Sequence, residues 1–300
     1  MAKKPVKYFV VDAFTESAFK GNPAAVCLLE EEREETWMQG VATEFNLSET
    51  CYLTRIAESD RSHISLNEPS TDRFHLRWFT PTTEVNLCGH ATLASAHVLF
   101  SSGLAKSDII EFVTLSGILT AKKVSGINGA GASDSEDGFF IELDFPADSV
   151  TEFNSVDISQ ISAALNGAPI VDVKRTTAGD DLLVELASGK AVVELLPDIG
   201  AMAKCPGGGI LVSGTAPPVS GFDYYCRFFF PKFGINEDPF TGSAQCALAP
   251  YWAKKLGKCD LRAYAASHRG GVVHVHFDEQ SKRILMRGKA VIVMDGCLLI

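Results

Sequence analysis

The sequence predicts an α+β protein built as two similar halves, and three observations carry that reading. Arg77-Trp78-Phe79-Thr80-Pro81 returns as Arg227-Phe228-Phe229-Phe230-Pro231, 150 positions later in a chain of 300. Each copy runs into a small-residue turn, Cys88-Gly89-His90-Ala91 in the first half and Thr241-Gly242-Ser243-Ala244 in the second. Around these turns, short strand-like runs alternate with a few stretches of helical spacing.

In the first half, Lys7–Phe14 reads as a strand. A Gly21-Asn22-Pro23 turn then leads into a second strand, Ala24–Leu29. Residues 32–46 carry Trp37, Met38, Val41, Ala42 and Phe45 at helical spacing, with Asn46 suited to a left-handed terminator. Strands follow at Leu47–Arg55, Ser62–Leu66 and Phe74–Phe79. The helix opened by Gly89 contains Leu93, Ala94, Ala96, Val98 and Phe100, and Gly103 closes it. Further strands fit Ile109–Thr114, Ile118–Val124 and Phe139–Phe145, with a polar loop across Ser125–Gly138.

A shift to polar composition after Phe145-Pro146 places the domain boundary there, giving 1–146 and 147–286. In the second half, Ile158–Leu165 reads as a short helix and Asp181–Leu186 as a strand. A helix near Leu196–Lys204 precedes strands at Gly209–Val212 and Tyr224–Phe230. The second glycine-opened helix ends at Gly257 and contains Pro250, which should kink or split it. Strands at Val272–Phe277, Arg283–Arg287 and Lys289–Met294 close the chain.

Bulk composition narrows the function. Hydrophobic residues make up 46% and charged residues 21%, the mix of a chain with real cores. A net charge of −10 argues against nucleic acid or an anionic membrane as partner, while leaving room for a small anion in a locally favourable cleft. No run of 18 apolar residues appears, and residues 1–7 carry no apolar signal core. Eight cysteines without a C-x-x-C pair read as reduced thiols in a cytoplasmic protein.

Glu49 stands where an apolar side chain is expected. Strand alternation puts Leu47, Glu49, Cys51 and Leu53 on one side, the one expected to be buried, with Ser48, Thr50, Tyr52 and Thr54 on the other. Burial raises a carboxyl pKa, and a carboxyl poised near neutrality can both take and return a proton. A carboxylate exposed at the start of the strand, or paired with lysine, is the alternative.

The two glycine turns are the second candidate. A helix N-terminus offers free backbone N–H groups, and glycine lets a ligand come close, so a facing pair suits a small carboxylate held between the halves. His90 and Ser243 follow the glycines at equivalent positions, and either can hydrogen-bond such a ligand. The alternative is a pair of ordinary helix starts, Ser243 acting as a cap. Asp238 suits orientation of a ligand hydroxyl or amine, or simply an Asp-Pro turn. Cys88 precedes a helix-opening glycine, a position that can lower a thiol pKa, but its counterpart is Thr241, so a two-thiol proton exchange is not expected. His274 and His276 share a strand face without completing a ligand set, and nothing calls for a metal or an organic cofactor.

These segments resemble the phenazine-biosynthesis PhzF-like family, in the wider diaminopimelate epimerase-like superfamily. The resemblance runs through Asp12-Ala13-Phe14, Gly21-Asn22-Pro23, Asn46-Leu47-Ser48-Glu49-Thr50, Phe79-Thr80-Pro81 and Cys88-Gly89-His90-Ala91-Thr92. It continues through Glu237-Asp238-Pro239, Thr241-Gly242-Ser243-Ala244 and Arg287-Gly288-Lys289-Ala290. It implies two pseudo-symmetric domains, each a curved, mostly antiparallel sheet wrapped around a central helix, with residues 287–300 free to cross back to the first.

By the same resemblance the active site lies in the cleft between the domains. Glu49 is the acid/base, Gly89, His90, Asp238, Gly242 and Ser243 bind or polarise the substrate, and Asn22 and Cys88 are assigned to substrate binding with them. The resemblance also implies a homodimer. Phe240 stands where a smaller residue is familiar and is expected to reshape the pocket. The reading is a cofactor-independent isomerase that moves a proton on a small carboxylic acid. The alternatives are a lyase that dehydrates a hydroxy acid with the same base, and a binding protein without turnover.

Overall fold

The computed structural model describes residues 5–56, 71–125, 138–153 and 158–300. The expected strand Ser62–Leu66 and most of the expected Ser125–Gly138 loop lie outside the described residues. The chain divides into two compact units, Met1–Asp144 with Arg287–Ile300, and Phe145–Met286.

The first unit opens with β1 (Val6–Ala13), β2 (Asn22–Leu29), α1 (Glu35–Phe45) and β3 (Glu49–Arg55). It continues with β4 (Asp72–Phe79), β5 (Glu84–Val85), α2 (Gly89–Ser101), β6 (Ile109–Thr114), β7 (Gly117–Ser125) and β8 (Phe139–Pro146). The second unit holds β9 (Val150–Glu152), α3 (Ile158–Ala164), β10 (Ile170–Thr176), β11 (Leu182–Leu186), α4 (Gly189–Glu194) and α5 (Ile199–Met202). It goes on through β12 (Ile210–Thr215), β13 (Tyr224–Phe230), β14 (Ile235–Asp238), α6 (Gln245–Leu256), β15 (Asp260–Ala265) and β16 (Val272–Asp278). β17 (Arg283–Gly288) leads the chain back to the first unit, which β18 (Ala290–Leu298) joins beside β1.

The pairings of the two units repeat each other. In the first, β1–β2 is antiparallel, β2–β3 parallel, β3–β4 antiparallel, β4–β6 parallel and β6–β7 antiparallel. In the second, β10–β11, β11–β12, β12–β13, β13–β15 and β15–β16 run through the same succession. In each, a short side strand pairs with the end of the fourth strand, β5 on β4 and β14 on β13. Each parallel step needs a crossover, and helices fill it: α1 between β2 and β3, α2 between β4 and β6, α4 and α5 between β11 and β12, α6 between β13 and β15.

Helix α2 explains its own position. Only His97 and Ser101 among its residues escape burial, and a helix apolar on all sides belongs inside a core. It packs against β1, β2, β3, β7 and β18, and its run of Ala91, Ala94, Ser95 and Ala96 lets backbones approach. On the other side of the sheet, Met38, Val41 and Ala42 of α1 pack with Cys27, Tyr52 and Phe79. Asn46 ends α1 in the left-handed region at φ 50°, as its residue type favours.

One turn fixes where β2 starts. Phe14 and Phe19 have positive φ, and Gly21 sits at φ 63°, where an added Cβ would fall 2.0 Å from the Ala13 carbonyl oxygen. The buried Asp12 carboxylate accepts the Phe19 N–H at 2.6 Å and holds the loop together.

Two expectations change. The helix carrying Pro250 is not split: α6 runs unbroken from Gln245 to Leu256. Proline removes the N–H that would bond the carbonyl four residues back, and the Cys246 carbonyl instead accepts the Asp148 N–H at 2.9 Å. The helix near Leu196–Lys204 shrinks to the single turn Ile199–Met202, capped by Asp198 through the Ala201 N–H. Among the described residues no helix is long and apolar enough to cross a membrane.

The β10–β11 connection stores an electrostatic cost. Burial, with repulsion from Asp180 and Asp148, raises the Asp181 carboxyl to about 6 against a Gly209 N–H that favours its charged form. A carboxyl whose folded pKa lies above its unfolded value destabilises the fold as pH rises from about 4 through 6. Asp181→Asn is therefore expected to raise the Tm at pH 7.5, by up to about 3 kcal/mol of stability, and to leave it unchanged at pH 4. Equal gains at both pH values would show that packing, not ionisation, is responsible.

Candidate active site

Five of the eight predicted site residues lie in the first unit, at the ends of three adjacent elements. Asn22 is the first residue of β2 and Glu49 the first of β3. These strands run parallel with Ala24 opposite Glu49, so both residues sit at the same end of the sheet. Cys88, Gly89 and His90 form the start of α2.

Glu49 is 7% exposed. The sequence expectation of one buried face is corrected: β3 is buried on both faces from Glu49 through Thr54, because helices cover each side. Tyr52 faces α1, its hydroxyl donating to the Met38 carbonyl at 2.5 Å. Cys51 shares the Glu49 side, and its thiol reaches the Ala91 carbonyl in the first turn of α2 at 3.5 Å. Glu49 therefore lies on the sheet face that α2 covers. Burial pushes the Cys51 thiol far up, and the Glu49 carboxylate adds to the shift.

Cys88 is the N-cap residue of α2, with extended backbone and no side-chain cap. Its carbonyl accepts the Thr92 hydroxyl at 2.6 Å and the Thr92 N–H at 3.1 Å. The side chain turns the other way: Cys88 Sγ is 3.3 Å from His90 Nδ1, and Asn22 Nδ2 is also 3.3 Å from that nitrogen. The ring is buried, and burial lowers the His90 imidazole to about 3, with the Pro23 carbonyl beside the ring opposing the shift. His90 is thus neutral at physiological pH. A thiolate–imidazolium pair needs a charged ring, and the His90 ring does not supply one.

In the second unit, Asp238 ends β14 and is buried, with the Thr241 hydroxyl donating to its Oδ2. Phe240 packs inside the second unit. Its ring is fully buried, edge-on to Phe228 at 6.3 Å, in space left by Gly271, where an added Cβ would fall 2.5 Å from it. The glycine turn differs from its partner in the first unit. Gly242 is buried and Ser243 exposed, and α6 begins only at Gln245. The intervening turn is tighter, with Gln245 N–H bonding the Gly242 carbonyl and Cys246 N–H the Ser243 carbonyl. Ser243 caps nothing through its side chain, because the assigned N-cap is Ala244.

Sequence reading missed what the repeated Arg-x-Phe motif is for. Arg77 holds Glu84 of β5 with two hydrogen bonds, both 2.6 Å, and lies 5.2 Å over the Phe79 ring. Arg227 holds Glu237 of β14 at 2.7 and 3.0 Å and lies 5.1 Å over Phe229. Each clamp fastens the side strand that leads into a glycine turn. An acid a few residues beyond each repeated arginine was the available signal. His274 and His276 sit on β16, where His276 pairs with Asp260 at 2.8 Å. Among the described residues, no group of three or more His, Cys, Asp or Glu side chains is placed to hold a metal ion.

Comparison with known proteins gives consistent matches over nearly the whole chain. The family profile described as phenazine biosynthesis-like protein (PhzC-PhzF) matches residues 11–296. An uncharacterized isomerase of Halalkalibacterium halodurans is 42% identical over 97% of this chain and 98% of its own. The crystal structure of a PhzF-family phenazine biosynthesis protein from Enterococcus faecalis superposes with a TM-score of 0.82 at 34% identity, covering 98% of this chain and 99% of that one. A probable proline racemase from Agrobacterium radiobacter, 9% identical with a TM-score of 0.60 over 97% of this chain and 92% of that one, shares the fold alone.

Proposed function

The chain belongs to the phenazine biosynthesis-like family, and on that premise we propose that it is an isomerase that moves a proton on a small carboxylic acid, without a cofactor, with Glu49 as the single acid/base. The isomerase class is supported by relatives described as isomerases in Halalkalibacterium halodurans and Pseudomonas aeruginosa. The observation that carries the assignment to Glu49 is its burial on the sheet face beside the start of α2.

In this reading Glu49 removes a proton from a carbon made acidic by conjugation to the substrate carboxylate. Negative charge spreads onto that conjugated system. Backbone N–H groups at Gly89 and the neutral His90 ring offer hydrogen bonds to it, and preorganised donors of this kind stabilise charge as it develops. His90, uncharged at neutral pH, polarises without surrendering a proton, which leaves Glu49 as the group that carries it. Glu49 then returns the proton at a second carbon. Asp238, Gly242 and Ser243 complete the proposal as binding groups contributed by the second unit.

The test is a panel of small carboxylic acids, screened for thermal stabilisation of the protein and then incubated with it in D₂O. A bound acid that gains carbon-bound deuterium and appears as its isomer supports the reading. An unsaturated or keto product identifies the lyase instead. Acids that bind but never exchange overturn catalysis and leave a binding protein.

A further inference from the structure

We propose that Asn22 is a positioning residue that, with Cys88, fixes His90 in the neutral tautomer carrying its proton on Nε2. Asn22 is thereby removed from the group of direct substrate contacts in which its sequence motif placed it. The inference deepens the isomerase reading and rests on it for the purpose of the tautomer, but not for the tautomer itself.

The geometry is local to the first unit. Asn22 is fully buried, and its Nδ2 lies 3.3 Å from His90 Nδ1. With the amide placed this way its nitrogen donates, so Nδ1 accepts and holds no proton. Cys88 Sγ reaches the same atom at 3.3 Å, and a neutral thiol also presents a donor. Both neighbours therefore favour a bare Nδ1. A neutral imidazole has one proton, which this leaves on Nε2. That atom is buried and has no partner at hydrogen-bond geometry. The Pro23 carbonyl beside the ring can accept from a ring N–H, and an anionic centre forming on a bound acid is a stronger acceptor for it.

The arrangement also separates this site from a cysteine–histidine–asparagine relay. In a relay the thiol and the amide address opposite ring nitrogens, so the ring passes a proton between them. Here both address Nδ1, and no proton path runs through the ring from one to the other. The pair sets the state of the ring without joining the chemistry.

The experiment reads the tautomer directly. Protein labelled with ¹⁵N-histidine is examined at pH 7 by long-range ¹H–¹⁵N correlation, with His90 assigned by the peaks lost in His90→Gln. The expected wild-type pattern is protonated Nε2 and bare Nδ1; protonated Nδ1 overturns the proposal without any variant. Asn22→Asp places an acceptor of the same shape against Nδ1 and is expected to move the proton to Nδ1. With it, kcat should fall about 10²-fold or more while KM changes far less. An unchanged tautomer in both Asn22→Asp and Asn22→Leu would show that Asn22 does not set it. Because the spectrum needs no turnover, a failure of the isomerase reading leaves the tautomer result standing, and the two failures are distinguishable.

Discussion

Glu49→Gln is expected to abolish deuterium exchange into any acid the protein turns over, lowering it by about 10³-fold or more, while thermal stability stays level or rises. Glutamine keeps the shape and hydrogen-bonding reach of the side chain but cannot accept a proton from carbon. The stability expectation follows from burial. Glu49 is 7% exposed, and a neutral amide costs less to bury than a carboxylate. An acid/base residue thus differs from a structural one in the direction of its second readout: a structural carboxylate would lose stability on replacement. The ligand should still raise the Tm of Glu49→Gln. Exchange within tenfold of wild type would remove Glu49 from catalysis, and loss of exchange together with a large drop in Tm would assign it to the fold.

How much of this was legible before the structure depends on how local each signal is. The starts of α1, α2 and β1–β3 are written in short runs, where Gly21, Asn46 and Gly89 punctuate apolar stretches. The duplicated plan was legible from two matched motifs, because the same hairpin recurs in each unit and a glycine turn precedes the following helix in both, though the second turn is tighter. Strands such as β10 and β15 were missed. Val171 is more than half exposed, and neither strand has the apolar density that marks a buried one. The burial of both faces of β3 was also invisible, since alternation reports one face and the second is set by α1, a neighbour in space.

At the site, residue types were legible and relations were not. Glu49, Gly89 and His90 drew attention as an acid and a glycine turn. The Asn22–His90 contact joins residues 68 positions apart, and no periodicity spans that. Pro250 shows the same limit from the other side: it reads as a breaker until Asp148 is seen supplying the missing hydrogen bond to Cys246.

Arg227→Met is expected to cost about 3 kcal/mol or more, the largest stability loss among these replacements. The guanidinium is 9% exposed as a residue and spends nearly all its donors: Nε and Nη2 on Glu237, Nη1 on the carbonyls of Leu195 at 2.6 Å and Val192 at 3.3 Å. Methionine fills the stem but abandons a partly buried carboxylate and two carbonyls at the end of α4. The matching Arg77→Met should cost less. The Arg77 side chain is 29% exposed against 11% for Arg227, and its third partner, Glu35, is a surface carboxylate at 3.3 Å. Water can replace what Arg77 provides more readily than what Arg227 provides.

The double variant Arg227→Met with Glu237→Met separates the origins of the loss. If the abandoned charge dominates, removing it recovers more than half of the stability, since an apolar pair can replace an ion pair of similar volume. If the double variant is no better than the single, the carbonyls of Val192 and Leu195 carry the cost instead. On the proposed role of Asp238, the consequence extends to ligand binding in either case. Glu237 immediately precedes Asp238, and β14 is held to β13 through Asp238 opposite Phe228. Under conditions where Arg227→Met remains folded, it should therefore weaken ligand binding more than Arg77→Met weakens it. Equal affinity in the two folded variants would confine the Arg227 clamp to stability and free Asp238 from dependence on it.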